Sequence, residues 1–189
     1  MLNVKHLGVS FALLGAMVGL AAQTIGQPEE FNAIAIVNNN LGSGAGRVIM
    51  RVERWSTEAE RARLVAALQK GNDAAIETLR DLRSVGTIRT PDSIGYDLRY
   101  AYQEPGEDGG RRIVIATDRP ISFWEARNQP RSIDYPFTVI QMEIDKRGEG
   151  KGTLSFATKV MPRGNVIILE NFATSPVMLT KIEARPVSP

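Results

Sequence analysis

The sequence predicts an α+β domain built on a curved antiparallel sheet of about eight strands, closed as a barrel or folded as a sandwich, with one inserted helical hairpin. Three observations predict this fold. Apolar residues alternate along several short segments, which is the period of a half-buried strand. Helical spacing replaces that alternation only between residues 57 and 84. Short turn-rich stretches join most of the strand-like segments, and such turns favour antiparallel pairing.

Two strands precede the helices. Phe31, Ala33, Ala35 and Val37 alternate with polar or smaller neighbours and predict one buried face. Residues 38–46 (NNNLGSGAG) predict a turn or flexible loop, because Asn and Gly tolerate positive φ. Alternation then returns over residues 47–55, with one face carrying Val48, Met50 and Val52.

A helical hairpin follows at about 57–84. Thr57 and Glu60 have the spacing of a capping box, which satisfies free N–H groups where a helix begins. The first helix is expected over 58–70 and ends at Gly71, a typical C′ residue. Asn72 or Asp73 is expected to cap a second helix that ends near residue 84.

The remaining chain predicts strands joined by turns. Tyr96, Leu98, Tyr100 and Tyr102 are expected on one face of a single strand. The other predicted strands cover 111–117, 137–144, 153–160, 165–170 and 177–185, with turns at 103–110, 148–150 and 162–165.

Residues 1–22 predict a secretory signal peptide. Lys5 and His6 form a positive start, an apolar run covers residues 7–20, and Ala21 and Ala22 supply small residues for cleavage. The run is shorter than the ~20 residues of a spanning helix, so a membrane anchor is the weaker alternative. We therefore expect export to the periplasm or the medium, with residues 23–189 as one domain that has no membrane span.

Composition excludes many functions. The 23 Lys and Arg residues nearly balance the 21 Asp and Glu residues, and without a basic cluster no nucleic-acid partner is expected. The only histidine, His6, lies in the predicted signal, and the chain has no cysteine. The mature chain therefore lacks disulfides, a Ser-His-Asp triad, a thiolate nucleophile, and the ligands of common zinc, haem or iron–sulfur sites. No metal or cofactor is predicted.

Two chemical motifs are weak. Residues 42–46 (GSGAG) resemble a phosphate-binding loop, but a strand rather than a helix is expected to follow, so no helix N-terminus would face a phosphate. A carboxylate-dependent enzyme acting on a sugar would need two acidic side chains facing each other in a cleft. The candidates by position are Asp97, Asp118, Glu125, Asp134 and Glu143.

The segment 118–136 (DRPISFWEARNQPRSIDYP) is the main candidate for binding, because a long irregular segment in a compact domain is often functional. It combines aromatic surface, planar guanidinium donors and amides. The candidate ligand-binding residues are Arg119, Trp124, Arg127, Asn128 and Arg131. The structural alternative is a packed loop in which Trp124 fills the core and Asp118 or Asp134 pairs with an arginine.

The tyrosine stripe is the second candidate. Inside a barrel, Tyr96, Tyr100 and Tyr102 would line a ligand cavity with apolar rings and polar tips. A half-buried sheet face with its hydroxyls in water is the simpler interpretation, since strands favour tyrosine.

Three stretches resemble an uncharacterised family of exported bacterial hypothetical proteins: 46–61 (GRVIMRVERWSTEAER), 86–102 (GTIRTPDSIGYDLRYAY) and 109–137 (GGRRIVIATDRPISFWEARNQPRSIDYPF). The resemblance implies export and carries over no functional residue, because the family has no assigned activity. We therefore expect an exported, non-enzymatic module that binds an unknown small molecule or a protein. The alternatives are an envelope structural or assembly protein and, less favoured, a glycosidase-type enzyme.

Overall fold

The computed structural model describes residues 26–39, 42–119, 121, 137–157, 159–163, 166–170 and 176–187. Two helices interrupt eleven strands in the described ranges, and a 3₁₀ turn at Glu107–Gly109 lies between β5 and β6. The helices are α1 (Glu58–Lys70) and α2 (Asn72–Asp81). The strands are β1 (Glu29–Asn39), β2 (Gly42–Val52), β3 (Gly86–Arg89), β4 (Tyr96–Leu98), β5 (Tyr100–Pro105), β6 (Arg111–Thr117), β7 (Phe137–Ile144), β8 (Glu149–Ala157), β9 (Lys159–Arg163), β10 (Val166–Glu170) and β11 (Val177–Pro186).

Nine strands form one antiparallel sheet in the order β4-β3-β2-β1-β11-β8-β7-β6-β5, and β9 and β10 pair separately. The two edges of the large sheet, β4 and β5, are consecutive in the chain and are separated only by Arg99. The Arg99 backbone N–H donates to the Ala116 carbonyl of β6 (3.0 Å), which draws the edges together. The sheet is therefore nearly closed as a barrel, and the predicted α+β fold is confirmed.

The β5 edge is also bonded to Ser56, which lies just before α1. Its backbone N–H donates to the Ala101 carbonyl at 2.8 Å, and its hydroxyl accepts from the Ala101 N–H at 3.1 Å. One serine thereby satisfies both polar backbone groups of a residue on edge strand β5. Unpaired groups on an edge strand invite pairing with other chains, and this contact covers part of the edge.

The barrel interior is apolar. The inward face predicted for the first two strands is confirmed, because Phe31, Ala33 and Ala35 are buried and Val37 packs against them. The opposing strands contribute the rest of this cluster, which includes Met50, Ile88, Leu98, Ile113, Ile115, Ile140, Met142, Leu154 and Leu179. Buried side chains of the described strands therefore occupy the centre of the barrel.

The expected loop over residues 38–46 is mostly strand. β1 and β2 pair along their full length, from Glu29 opposite Val52 to Asn39 opposite Gly42. Gly44 and Gly46 lie opposite Val37 and Ala35 in this register. Pairing with β1 therefore overrides the low strand propensity of glycine, and the segment does not form a phosphate-binding loop.

The helical hairpin covers the outer face of the sheet beside the seam. The predicted capping box is present, since Thr57 Oγ1 accepts from the Glu60 N–H at 3.2 Å and Glu60 Oε2 accepts from the Thr57 N–H at 2.8 Å. Leu64, Leu68 and Leu79 form a second cluster with strand residues Tyr100, Ala116 and Val139. The cap expected at Asn72 or Asp73 is wrong, because Gly71 is the N-cap of α2 and makes no side-chain cap bond.

Strand β3 was not predicted from the sequence. Gly86 begins it with φ of 154°, and a Cβ there would lie 1.9 Å from the Arg51 carbonyl oxygen. β3 is only four residues long and pairs with β2 and β4. The single strand expected over 96–102 is two strands, β4 and β5, which are interrupted at Arg99.

The later elements agree with the prediction apart from their bounds. β8 begins at Glu149, four residues before the expected start, and its turn uses Gly148 at φ of 83°. The strand expected over 153–160 ends at Ala157, and a separate strand, β9, begins at Lys159. Among the described residues, neither helix is long and apolar enough to cross a membrane. The expected signal peptide, residues 1–22, lies outside the described residues.

Candidate functional site

Three arginines surround one buried carboxylate at the seam of the barrel. Asp118 follows β6 directly, and its side chain is only 7 % exposed. The Nε atoms of three arginines lie near its carboxylate: Arg99 at 3.5 Å, Arg80 at 3.8 Å and Arg119 at 3.8 Å. We call Asp118 and these three arginines the arginine cluster.

Each arginine comes from a different part of the fold. Arg80 lies in the last turn of α2, where a cation is favoured by the helix dipole. Arg99 lies between β4 and β5, and its Nη1 is 3.5 Å from the Leu82 carbonyl at the end of α2. Arg119 follows Asp118 at the start of the segment 118–136. The cluster therefore joins the hairpin, the barrel seam and the proposed binding segment.

Thr117 connects the cluster to strand β4. Its hydroxyl donates to the Asp97 carbonyl at 2.9 Å and lies 3.4 Å from Asp118 Oδ1. The Asp97 carboxylate in turn lies 3.6 Å from Arg99 Nη2. With Asp97 included, the described part of the chain places three guanidinium groups beside two carboxylates, which leaves one positive charge in excess.

The ion pairs in the cluster are loose. Direct hydrogen bonds between guanidinium and carboxylate are about 2.7–2.9 Å long, whereas every Arg–Asp118 contact is 3.5 Å or longer. The buried Nε of Arg99 has no hydrogen-bond partner. Arg80 and Arg119 are more than half exposed, at 63 % and 52 %. Donors that are close together but incompletely bonded, with a positive excess, can accept an anionic group from solvent.

The structure brings one predicted ligand-binding residue of the segment 118–136 into this cluster, namely Arg119. The interpretation of Asp118 as an ion-pair partner of arginine also agrees with the contacts. The other four candidates, Trp124, Arg127, Asn128 and Arg131, lie outside the described residues.

The tyrosines do not share a face. Tyr96 packs against the barrel interior, whereas Tyr100 and Tyr102 pack under the helices. The rings of Tyr100 and Tyr102 stack at 6.3 Å, and the Tyr102 hydroxyl donates to Glu58 Oε1 at 2.8 Å. Burial raises the pKa of the Tyr100 hydroxyl far above its ordinary value of 10.0. The facing of the side chains changes at Arg99, between β4 and β5, so the three tyrosines do not line one cavity.

The candidate carboxylates are separated. Asp97 and Asp118 both contact Arg99, whereas Glu143 lies on β7, exposed, directly opposite Arg112 on β6 and Lys151 on β8. Glu125 and Asp134 lie outside the described residues. Within the described part of the chain, no group of three or more acidic side chains could hold a metal ion.

A second charged feature lies at the opposite end of the barrel. A groove of about 1050 Å³ runs between the β5–β6 turn, the β7–β8 turn and the middle of β11. Lys181 in its lining has φ of 49° and occupies a β-bulge between Leu179 and Ile182. Acidic and basic residues alternate across the adjoining strands, from Glu104 through Arg112 and Glu143 to Lys151. Such a ladder of opposite charges stabilises a solvent-facing sheet, so this groove is the weaker candidate.

Sequence reasoning missed Arg80 and Arg99. Arg80 belongs to a helix predicted only as a packing element, and Arg99 follows Asp97 by two residues in a segment predicted for its tyrosines. Neither position carries a local signal, because the cluster forms only when the seam brings α2, β4 and β6 together.

Comparison with protein-family models, with curated proteins and with solved structures finds no match for this chain.

Proposed function

We propose that this protein is an exported, non-enzymatic binding module that takes an anionic group of a ligand at the arginine cluster. One observation carries the proposal: among the described residues, three guanidinium groups from three parts of the fold converge on one buried carboxylate without direct hydrogen bonds, and one positive charge remains in excess. A single carboxylate or phosphate group on a ligand would balance that charge.

The exposure of the arginines supports this use of the site. Arg99 is mostly buried and fixed by the Leu82 carbonyl, so it forms the floor of the cluster. Arg80 and Arg119 make no hydrogen bond through their terminal nitrogens to any part of the chain that is described. Those planar donor groups suit bidentate contact with an oxyanion.

Isothermal titration calorimetry at constant ionic strength tests the proposal with acetate and inorganic phosphate as separate probes. Wild type is expected to bind at least one probe, and the double variant Arg80→Ala with Arg119→Ala is expected to weaken that binding by about tenfold or more. The control is Arg147→Ala, which removes an exposed arginine that pairs with Asp145 and Glu149 near the other end of the barrel. Equal binding by the double variant and the control, or no binding by wild type, would refute the proposed site.

A further inference from the structure

We infer that Asp118 acts as a built-in competitor of the ligand, so that removal of its charge strengthens anion binding. This inference rests on the proposed function and concerns the same cluster. The Asp118 carboxylate has two conceivable roles. In the first, it positions the arginines and so helps them to hold the ligand. In the second, it is an internal anion that occupies the arginines until a ligand arrives.

The contact distances favour the second role. Asp118 stays 3.5–3.8 Å from all three arginines and forms no direct hydrogen bond with any of them. An oxyanion that reaches the Nη groups of Arg80 and Arg119 at about 2.8 Å makes stronger contacts than the carboxylate now makes. Binding would therefore draw those two side chains toward the ligand and leave Arg99 with Asp118.

The location of the Asp118 carboxylate explains why it also weakens the binding of an anionic ligand. Asp118 is buried, whereas the side chains of Arg80 and Arg119 lie between it and solvent. A second anion bound to the outer guanidinium groups lies within a few ångströms of the first, in a region of reduced dielectric. Repulsion between the two anions lowers the affinity, and the buried charge thereby sets the ligand concentration at which the site fills.

Asp97 provides a graded comparison. Among the described residues its carboxylate makes an ion pair only with Arg99, and its side chain is 51 % exposed, against 7 % for Asp118. Solvent screens a charge at an exposed position. Neutralising Asp97 should therefore strengthen anion binding in the same direction but by less.

The experiment is calorimetric titration of inorganic phosphate into wild type, Asp118→Asn, Asp97→Asn and Glu183→Gln at one ionic strength. The Glu183→Gln control removes an equal charge from β11, at the middle of the sheet order and therefore far from the β4–β5 seam. We expect about tenfold tighter binding for Asp118→Asn, about twofold to threefold for Asp97→Asn and no change for the control. Titration of acetate as a second probe shows whether the site prefers a phosphate group or a carboxylate group.

The outcomes are distinguishable. Folded Asp118→Asn that binds phosphate no more tightly than wild type overturns this inference and leaves the proposed function standing. Absence of binding in wild type and in every variant overturns the proposed function itself. Should Asp118→Asn unfold, Asp97→Asn decides the question, because tighter binding by that variant supports the competitor role and unchanged or weaker binding refutes it.

Discussion

Arg54 should be the residue whose loss most disturbs the placement of the helical hairpin. Its guanidinium makes paired hydrogen bonds to Glu60 at 2.9 and 3.0 Å, and it also donates to the Arg83 carbonyl at 2.7 Å. One side chain thus joins the start of α1 to the segment just after α2. Because Arg80 lies on α2, the same bonds help to hold the arginine cluster.

The expected cost follows from the geometry. Arg54 and Glu60 are 28 % and 20 % exposed, so solvent screens the pair less than it screens most surface pairs. A hydrogen bond to a charged group contributes about 1.5–3 kcal/mol. Glu60 keeps its capping bond to Thr57 when Arg54 is lost, so Arg54→Met should lower the free energy of unfolding by about 2–3 kcal/mol in total. Urea denaturation at pH 7 measures this change.

The effect should also depend on pH. The side-chain hydrogen bond from Arg54 lowers the pKa of Glu60 below its ordinary value of 4.5, although desolvation acts in the opposite direction. A carboxyl group with a lowered folded-state pKa stabilises the fold above its unfolded pKa, and this stabilisation is lost as pH falls through the folded value. The difference between wild type and Arg54→Met should therefore shrink below pH 4.5.

The control is Arg185→Met, which removes an Arg–Glu contact of 2.6 Å that is more than half exposed on both sides. This variant should change stability by less than about 0.5 kcal/mol, because exposed pairs contribute little. Equal costs for the two variants, or a cost for Arg54→Met that is the same at pH 3 and pH 7, would refute the reasoning.

Two further predictions concern the backbone and the buried tyrosine. Gly86→Ala should lower the free energy of unfolding by about 2–4 kcal/mol, because the positive φ and the nearby Arg51 carbonyl both oppose a Cβ. Gly109→Ala is the control, since Gly109 has φ of 76° but open space around it, and it should cost only about 1 kcal/mol. Similar urea midpoints for the two variants would contradict the steric clash proposed at Gly86. Tyr100 should resist ionisation in an alkaline titration followed at 295 nm, and its raised folded-state pKa means that stability is complete below pH 10 and falls as pH rises above it. Tyr100→Phe should remove that resistant transition, and persistence of the transition in the variant would show that another tyrosine causes it.

Local patterns predicted the parts of the fold that depend on local physics. The capping box at Thr57 and the alternation of Phe31, Ala33 and Ala35 each specify a period and a face, and the structure agrees with both. β3 gave no comparable signal, because a four-residue strand is shorter than the window that establishes a period. The glycines of 42–46 led to the wrong prediction of a loop, because their pairing with β1 is a tertiary effect that residue propensity does not include.

The candidate site was less predictable for the same physical reason. The tyrosines alternate correctly along the sequence, but the facing changes between β4 and β5, so Leu98 lies in the barrel interior and Tyr100 packs with the helices. β4 pairs with β3 and β5 pairs with β6, and the local pattern of tyrosines does not specify these partners. Arg119 was identified because it lies in the long irregular segment 118–136, whereas Arg80 joins the cluster from a helix 38 positions before Asp118.

Arg99 has two roles that must be separated in any functional test. Its backbone N–H bonds Ala116 across the seam, and its side chain contacts the Leu82 carbonyl, Asp97 and Asp118. Substitution of Arg99 would therefore remove the nearest cation from the buried Asp118 carboxylate, which is strongly destabilising. Reduced ligand binding by such a variant would then reflect a disturbed seam as readily as a lost ligand contact. Arg80 and Arg119 contact the same carboxylate from more exposed positions. Their removal changes the charge presented to a ligand while leaving Arg99 and the seam in place, so these two residues isolate binding from folding.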